Sequence, residues 1–113
     1  MVTSAPDAGD IVWMNFTPKS GKEQDGKRPA LVISPKSYNQ RIGLMVVCPI
    51  TSKSKGYVFE VALPEGSPVR GVVLSDHVKS VDWTSRGAEA VCRVPADTLQ
   101  HVQAKIKALL NIG

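Results

Sequence analysis

Seven short runs rich in β-branched, aliphatic and aromatic residues follow one another along the chain, and their brevity constrains the fold more than any other feature. They are IVWMNF (11–16), ALVIS (30–34), LMVVCPI (44–50), YVFEVAL (57–63), GVVLS (71–75), HVKSVDW (77–83) and AEAVCRV (88–94). Turn formers separate them: Asn39 to Gly43, Gly56, Pro64 to Pro68, and Arg86–Gly87. Strands this short satisfy their backbone only by pairing with several others, so the spacing predicts a small barrel or sandwich. HVKSVDW does not alternate cleanly, which leaves its register open. PKSYNQ (35–40) is read as one helical turn and no more. The tail changes period. Pro95 suits a first helical position, Asp97 places negative charge near the positive helix end, and Leu99, Val102, Ile106, Leu109 and Leu110 recur at helical spacing. An amphipathic helix of about four turns is expected to lie on the sheet, with His101 on its polar side.

At 113 residues, with 42% apolar and 21% charged residues, the chain reads as one domain spanning 1–113. A domain of that size buries roughly two thirds of its unfolded surface. The longest apolar run, Leu44 to Ile50, is broken by Pro49 and is too short to cross a bilayer. VTSAPDAGD after Met1 has neither a basic start nor an apolar signal core, so a cytoplasmic location is expected. Cys48 and Cys92 lie in VVCPI and AVCRV, with no CxxC pair or clustered histidines, and read as two buried reduced thiols. A net charge of +4 leans towards a polyanionic partner. Lys19, Lys22, Lys27, Arg28, Lys53, Lys55 and Lys79 fall in or beside predicted loops, where such a partner would meet them.

One connection is unusual. TPKSGKEQDGK joins Phe16 to Arg28, whereas hairpin loops usually hold about two to five residues. It reads either as solvated surface or as a loop that folds over a ligand. Its end is the informative part. Pro29 confines Arg28 to extended backbone and passes it directly to an apolar strand, so the guanidinium starts from a fixed base. No nucleotide-binding glycine loop, HExxH or nucleophile elbow is present, which argues against chemistry built on ATP, NAD or zinc. What remains is an acid (Glu23), a permanent cation (Arg28) and the hydroxyl cluster TSKSKGY (51–57) with its basic followers. Such a set suits a phosphodiester. RNA supplies its own nucleophile in the 2′-hydroxyl, so positioning and charge stabilisation do most of the work, and neither metal nor cofactor is required in principle.

These residues also form a pattern. GDIVW is followed by G-x-EQ-x-G-x-RP-A-L-V-I-S-P and YN, then CPIT, SKGY-x-FEV, GVVLSDHVKS-x-DW, RGA and VPADTLQ. In this order the chain resembles the MazF/PemK family, toxins of bacterial toxin–antitoxin pairs that act as ribosome-independent, sequence-specific endoribonucleases. SKGYVFEV and the VKS–W segment bring it nearest the MazF branch. The resemblance implies a mainly β SH3-like barrel with a C-terminal helix (the CcdB/PemK-like fold), paired as a homodimer. It also implies single-stranded mRNA in a groove at the dimer interface, and a cognate MazE-like antitoxin whose tail occupies that groove instead. Carried over by position, the family's catalytic arginine is Arg28, its catalytic threonine Thr51 and its loop glutamate Glu23. An RNA-binding set of Phe16, Thr17, Ser52, Lys55, Asp76, His77 and Lys79 follows, with Lys55 and Lys79 as phosphate contacts. The charged stretch then sits beside the core because the strand fixes Arg28 while the loop closes over RNA.

Two residues depart from the family's pattern. His77 stands where many relatives have glutamine, and it is read as a base contact rather than a general base. Lys22 replaces a small residue or histidine. Outside the resemblance each choice has a plain alternative: Thr51 as a strand-end hydroxyl, Glu23 as a solvated acid, Tyr57 as packing at a strand start. Trp13 and Trp83 are expected in the core or a dimer interface. Two other functions fit the same fold. A CcdB-like member poisons DNA gyrase by protein contact, although the ending LLNIG lacks the gyrase-binding tail of those relatives. A barrel that only binds RNA or a peptide is the other.

Overall fold

The computed structural model describes residues 4–16 and 26–112. In chain order the elements are β1 (Asp10–Asn15), β2 (Lys27–Val32), α1 (Lys36–Ile42), β3 (Leu44–Thr51), β4 (Glu60–Ala62), β5 (Val72–Leu74), β6 (Lys79–Asp82), β7 (Glu89–Arg93) and α2 (Ala96–Leu110). The strands pair in the order β4-β5-β3-β2-β1-β7, with β6 also on β3. Every pairing is antiparallel. The fold is therefore mainly β with a C-terminal helix, barrel-like in its bend, and β4 and β7 are not paired to one another among the described residues.

β3 makes the bend. One of its edges carries β2, and the other is shared, with β6 on Leu44–Val47 and β5 on Ile50–Thr51. Pro49 stands at the changeover and brings no N–H that would go unpaired there. Alternating side chains serve two apolar clusters, which is why the runs read as almost continuously apolar. One cluster takes Val12, Met14, Ala30, Val32, Met45, Val47, Val81 and Trp83. The other takes Ile11, Leu31, Cys48, Ile50, Val61, Val69, Val73 and Val102, with Leu99 and Ile106 of α2 packed against it. Val102 is completely buried, so α2 lies on the sheet through Leu99, Val102 and Ile106, whereas Leu109 and Leu110 of the expected apolar set are exposed.

Several boundaries differ from expectation, each for a local reason. YVFEVAL contributes only β4, because Tyr57 to Glu60 close a turn through a Glu60 N–H to Tyr57 carbonyl bond of 3.0 Å. HVKSVDW begins its strand only at Lys79, after a turn in which the His77 N–H bonds the Leu74 carbonyl. β2 starts early and takes in Arg28 and Pro29, whereas Ser34 leaves the ladder to bond Asn39.

The single turn expected at 35–40 is a seven-residue helix. Two features extend it. Gly43 adopts φ 84° and its N–H caps the Asn39 carbonyl, and the buried Asn39 is fully engaged. Its amide donates to the carbonyls of Pro6 and Ser34 at 2.8 and 2.9 Å, and its backbone oxygen accepts the Trp83 indole N–H at 2.9 Å. Pro95 is the residue before α2 rather than its first, with ψ at 153°. Trp83 is core, as expected, but Trp13 is 37% exposed. Cys48 is fully buried, its thiol pushed up to about 12 by desolvation and then by the Asp76 charge. Cys92 corrects the expectation of two buried thiols, being only half-buried, though desolvation raises its thiol too. Among the described residues no helix is long and apolar enough to cross a membrane.

Candidate functional site

Arg28 enters the site on a stiff support. In the β1–β2 ladder it pairs with Met14, which is completely buried, and Pro29 follows it. β2 and β3 run Val32↔Val47, Leu31↔Cys48, Ala30↔Pro49. The ladder ends at Ala30↔Pro49, and the same register continued two residues sets Arg28 level with Thr51. Both line one open cavity of about 530 Å³, together with Trp13, Pro29, Ile50, Ser52, Lys53, Pro68, Val69 and Arg70. Among the described residues its charged lining is Arg28, Lys53 and Arg70, with no carboxylate. An anion is the natural occupant of such a space.

Thr51 is held from two sides. It pairs with Val72 of β5, and its Oγ1 accepts the Lys53 N–H at 3.1 Å. Gly71, at φ 127°, presses its backbone so closely that a Cβ there would lie 2.2 Å from the Thr51 carbonyl oxygen. Thr51 and Lys53 also form a wall of a second cavity, about 420 Å³, lined by Lys55, Tyr57, Glu60, Leu74 and His77. The two cavities therefore share Thr51, the residue that the sequence singles out, and Lys53.

The loop between β3 and β4 is shaped by Glu60. Its carboxylate accepts the Ser54 hydroxyl at 2.6 Å and the backbone N–H groups of Lys55 and Gly56 at 2.8 and 3.2 Å. These bonds, the Lys55 amide first, hold the carboxyl below the usual glutamate range. From α2, Lys105 donates to the Val58 carbonyl at 2.7 Å. The Tyr57 hydroxyl donates to Asp76, and the bond raises the phenol's pKa. The other Asp76 oxygen is shielded and accepts no hydrogen bond from the described residues, with His77 Nε2 lying 3.8 Å away.

The expected site residues thus divide into groups. Arg28, Thr51 and Ser52 share the first cavity; Lys55 and His77 share the second with Thr51; Asp76 adjoins it through Tyr57. Phe16 and Lys79 line neither. The Lys79 ammonium sits 5.3 Å from the Phe16 ring centroid, in a cation–π contact. Phe16 packs against the first core cluster. Glu23, Thr17 and Lys22 lie outside the described residues. Among the described residues no three His, Cys, Asp or Glu side chains gather where a metal ion would bind. Among the lining residues not expected in the site are an arginine and a tryptophan. Arg70 was hidden in a proline- and glycine-rich connection, and Trp13 was read as core or interface.

Residues 7–110 match the family described as the PemK-like, MazF-like toxin of type II toxin–antitoxin systems. The chain belongs to that family. It is 47% identical over 106 residues to the endoribonuclease toxin MazF of Escherichia coli K12, covering 94% of this chain and 95% of that one. Crystalline MazF from Deinococcus radiodurans is 56% identical, with a TM-score of 0.87 over 96% of this chain and 98% of its own. A MazE–MazF structure from the same organism gives 53% identity and a TM-score of 0.89, covering 96% and 99%.

Proposed function

We propose that this protein is an endoribonuclease toxin. On this reading it cleaves single-stranded RNA, mRNA included, at preferred sequences and without the ribosome. The observation that carries the reading is that Arg28 and Thr51 line one cavity whose charged lining, among the described residues, is wholly cationic. Family membership supports it, since relatives of this similarity are named endoribonucleases.

The chemistry follows from what RNA brings. The 2′-oxygen attacks the adjacent phosphorus, the bond to the 5′-oxygen breaks, and the products are a 2′,3′-cyclic phosphate and a 5′-hydroxyl. The 2′ proton passes to a base, for which Glu23 is the candidate, and the leaving oxygen takes up a proton. Arg28, always charged, stabilises the phosphorane, and Thr51 donates a hydrogen bond to the same phosphate. No step draws on a metal. The protein acts as a homodimer, and a cognate antitoxin neutralises it, as the MazE–MazF pairing of the Deinococcus relative suggests. A cationic groove that attracts phosphates also attracts carboxylates, so an acidic antitoxin tail competes with RNA for one surface.

The test is a cleavage assay on single-stranded RNA in excess EDTA. The wild type is expected to give the cyclic phosphate and 5′-hydroxyl ends. Arg28→Ala is expected to lose on the order of 10² or more in rate, the usual cost of removing one preorganised transition-state donor, and Thr51→Ala somewhat less. Both variants keep the wild-type circular dichroism. RNA left whole by the folded wild type contradicts the reading and favours a CcdB-like toxin that acts by protein contact.

A further inference from the structure

Arg70 lines the same cavity as Arg28 and Thr51, and none of the described residues uses its charge. It makes no ion pair or side-chain hydrogen bond with the described residues. Glu65 lines a neighbouring groove with it but does not reach it in an ion pair. Its backbone is nevertheless held on both sides. Val69 is buried in the second core cluster, and Gly71 is pressed against the Thr51 carbonyl. An arginine on such a base presents its guanidinium to the cavity it shares with Thr51 at reduced entropic cost. Among the described residues three cations and no carboxylate face this space, and like charges so gathered favour the entry of anions.

We propose that Arg70 binds an RNA phosphate next to the scissile one, resting on the ribonuclease reading above. One phosphodiester between Arg28 and Thr51 leaves Arg70 and Lys53 facing open cavity. The neighbouring phosphate of the same strand supplies the second anion at the spacing of one nucleotide. Arg70 thus aligns the strand, and the chemistry stays with Arg28 and Thr51. The β4–β5 connection that carries it becomes part of the RNA groove.

Steady-state cleavage of a short single-stranded RNA, measured across a salt series, tests this. Arg70→Ala is expected to raise KM about tenfold, as loss of one charge-assisted hydrogen bond does, with a smaller fall in kcat. The slope of log kcat/KM against log salt should become shallower by roughly 0.7, the contribution of one phosphate contact on a single strand. Arg70→Lys restores the slope but not all of KM, because a point charge replaces a planar fork. Lys107→Ala on α2 removes the same net charge outside the cavity and leaves KM and slope as they were.

An unchanged KM and slope in Arg70→Ala, beside an active wild type, overturns the assignment alone. So does an equal loss in Lys107→Ala, which would make the effect one of net charge. Should Arg70→Ala melt early, Arg70→Lys decides, and a wild-type KM in that variant refutes the phosphate contact. A wild type that cuts no RNA removes the reading on which the assignment rests.

Discussion

Thr51 owes its position to a residue with no side chain. Gly71 combines a φ of 127° with a virtual Cβ only 2.2 Å from the Thr51 carbonyl oxygen, so any side chain there forces β3 and the β5 lead-in apart. Gly71→Ala is expected to destabilise the fold by about 2 kcal/mol or more, from backbone strain and the clash together. It should also cut RNA cleavage more than its stability loss explains, because Thr51 moves. Thermal melts together with kcat at a temperature where the variant is folded check both. A wild-type rate from a folded Gly71→Ala protein would show that the position of Thr51 is not critical. At this scale Arg28 is legible in the sequence, because an arginine before proline at a strand start has a fixed base. Arg70 is not. Its meaning comes from the fold laying residues 68–71 over Thr51, a contact between segments that no local pattern encodes.

The element that joins the two cavities is the loop after β3, and Glu60 is its anchor. Replacing Glu60 with alanine removes acceptors for Ser54, Lys55 and Gly56 at once. The expected result is a raised KM for RNA with little change in melting temperature, since the loop is exposed. Acid should do the same reversibly. The Glu60 carboxyl is lowered from 4.5, so its bonds are fully present above that value and are lost as pH falls through the lowered one. Amide shifts of Lys55 and Gly56 should titrate together with a midpoint below 4.5. A midpoint at or above that value would mean the carboxylate is not holding the loop. The strands themselves were largely legible from their composition, because two buried clusters demand apolar residues on both faces. Their ends were less so. β4 shrinks to three residues because a turn takes Tyr57 to Phe59, and α1 outgrows one turn because Gly43 caps it and Asn39 ties it to Trp83.

On the scale of the whole molecule, the sheet gathers cations that are far apart in the chain. Arg28 comes from β2, Lys53 from just beyond β3 and Arg70 from the lead-in to β5, and the bend of β3 brings them to one cleft. The net charge of +4 therefore matters less than where the fold collects it. The central claim is that this cleft cuts RNA through the substrate's own 2′-hydroxyl, with the protein supplying position and charge. A single-stranded RNA carrying one deoxyribose at the cut position tests that most directly. The account predicts that this oligonucleotide binds with near wild-type affinity and stays whole, while its all-ribose twin is cut to a 2′,3′-cyclic phosphate. Cleavage of the deoxy-substituted strand at the rate of the twin would contradict it, because the attacking oxygen would then have to come from elsewhere.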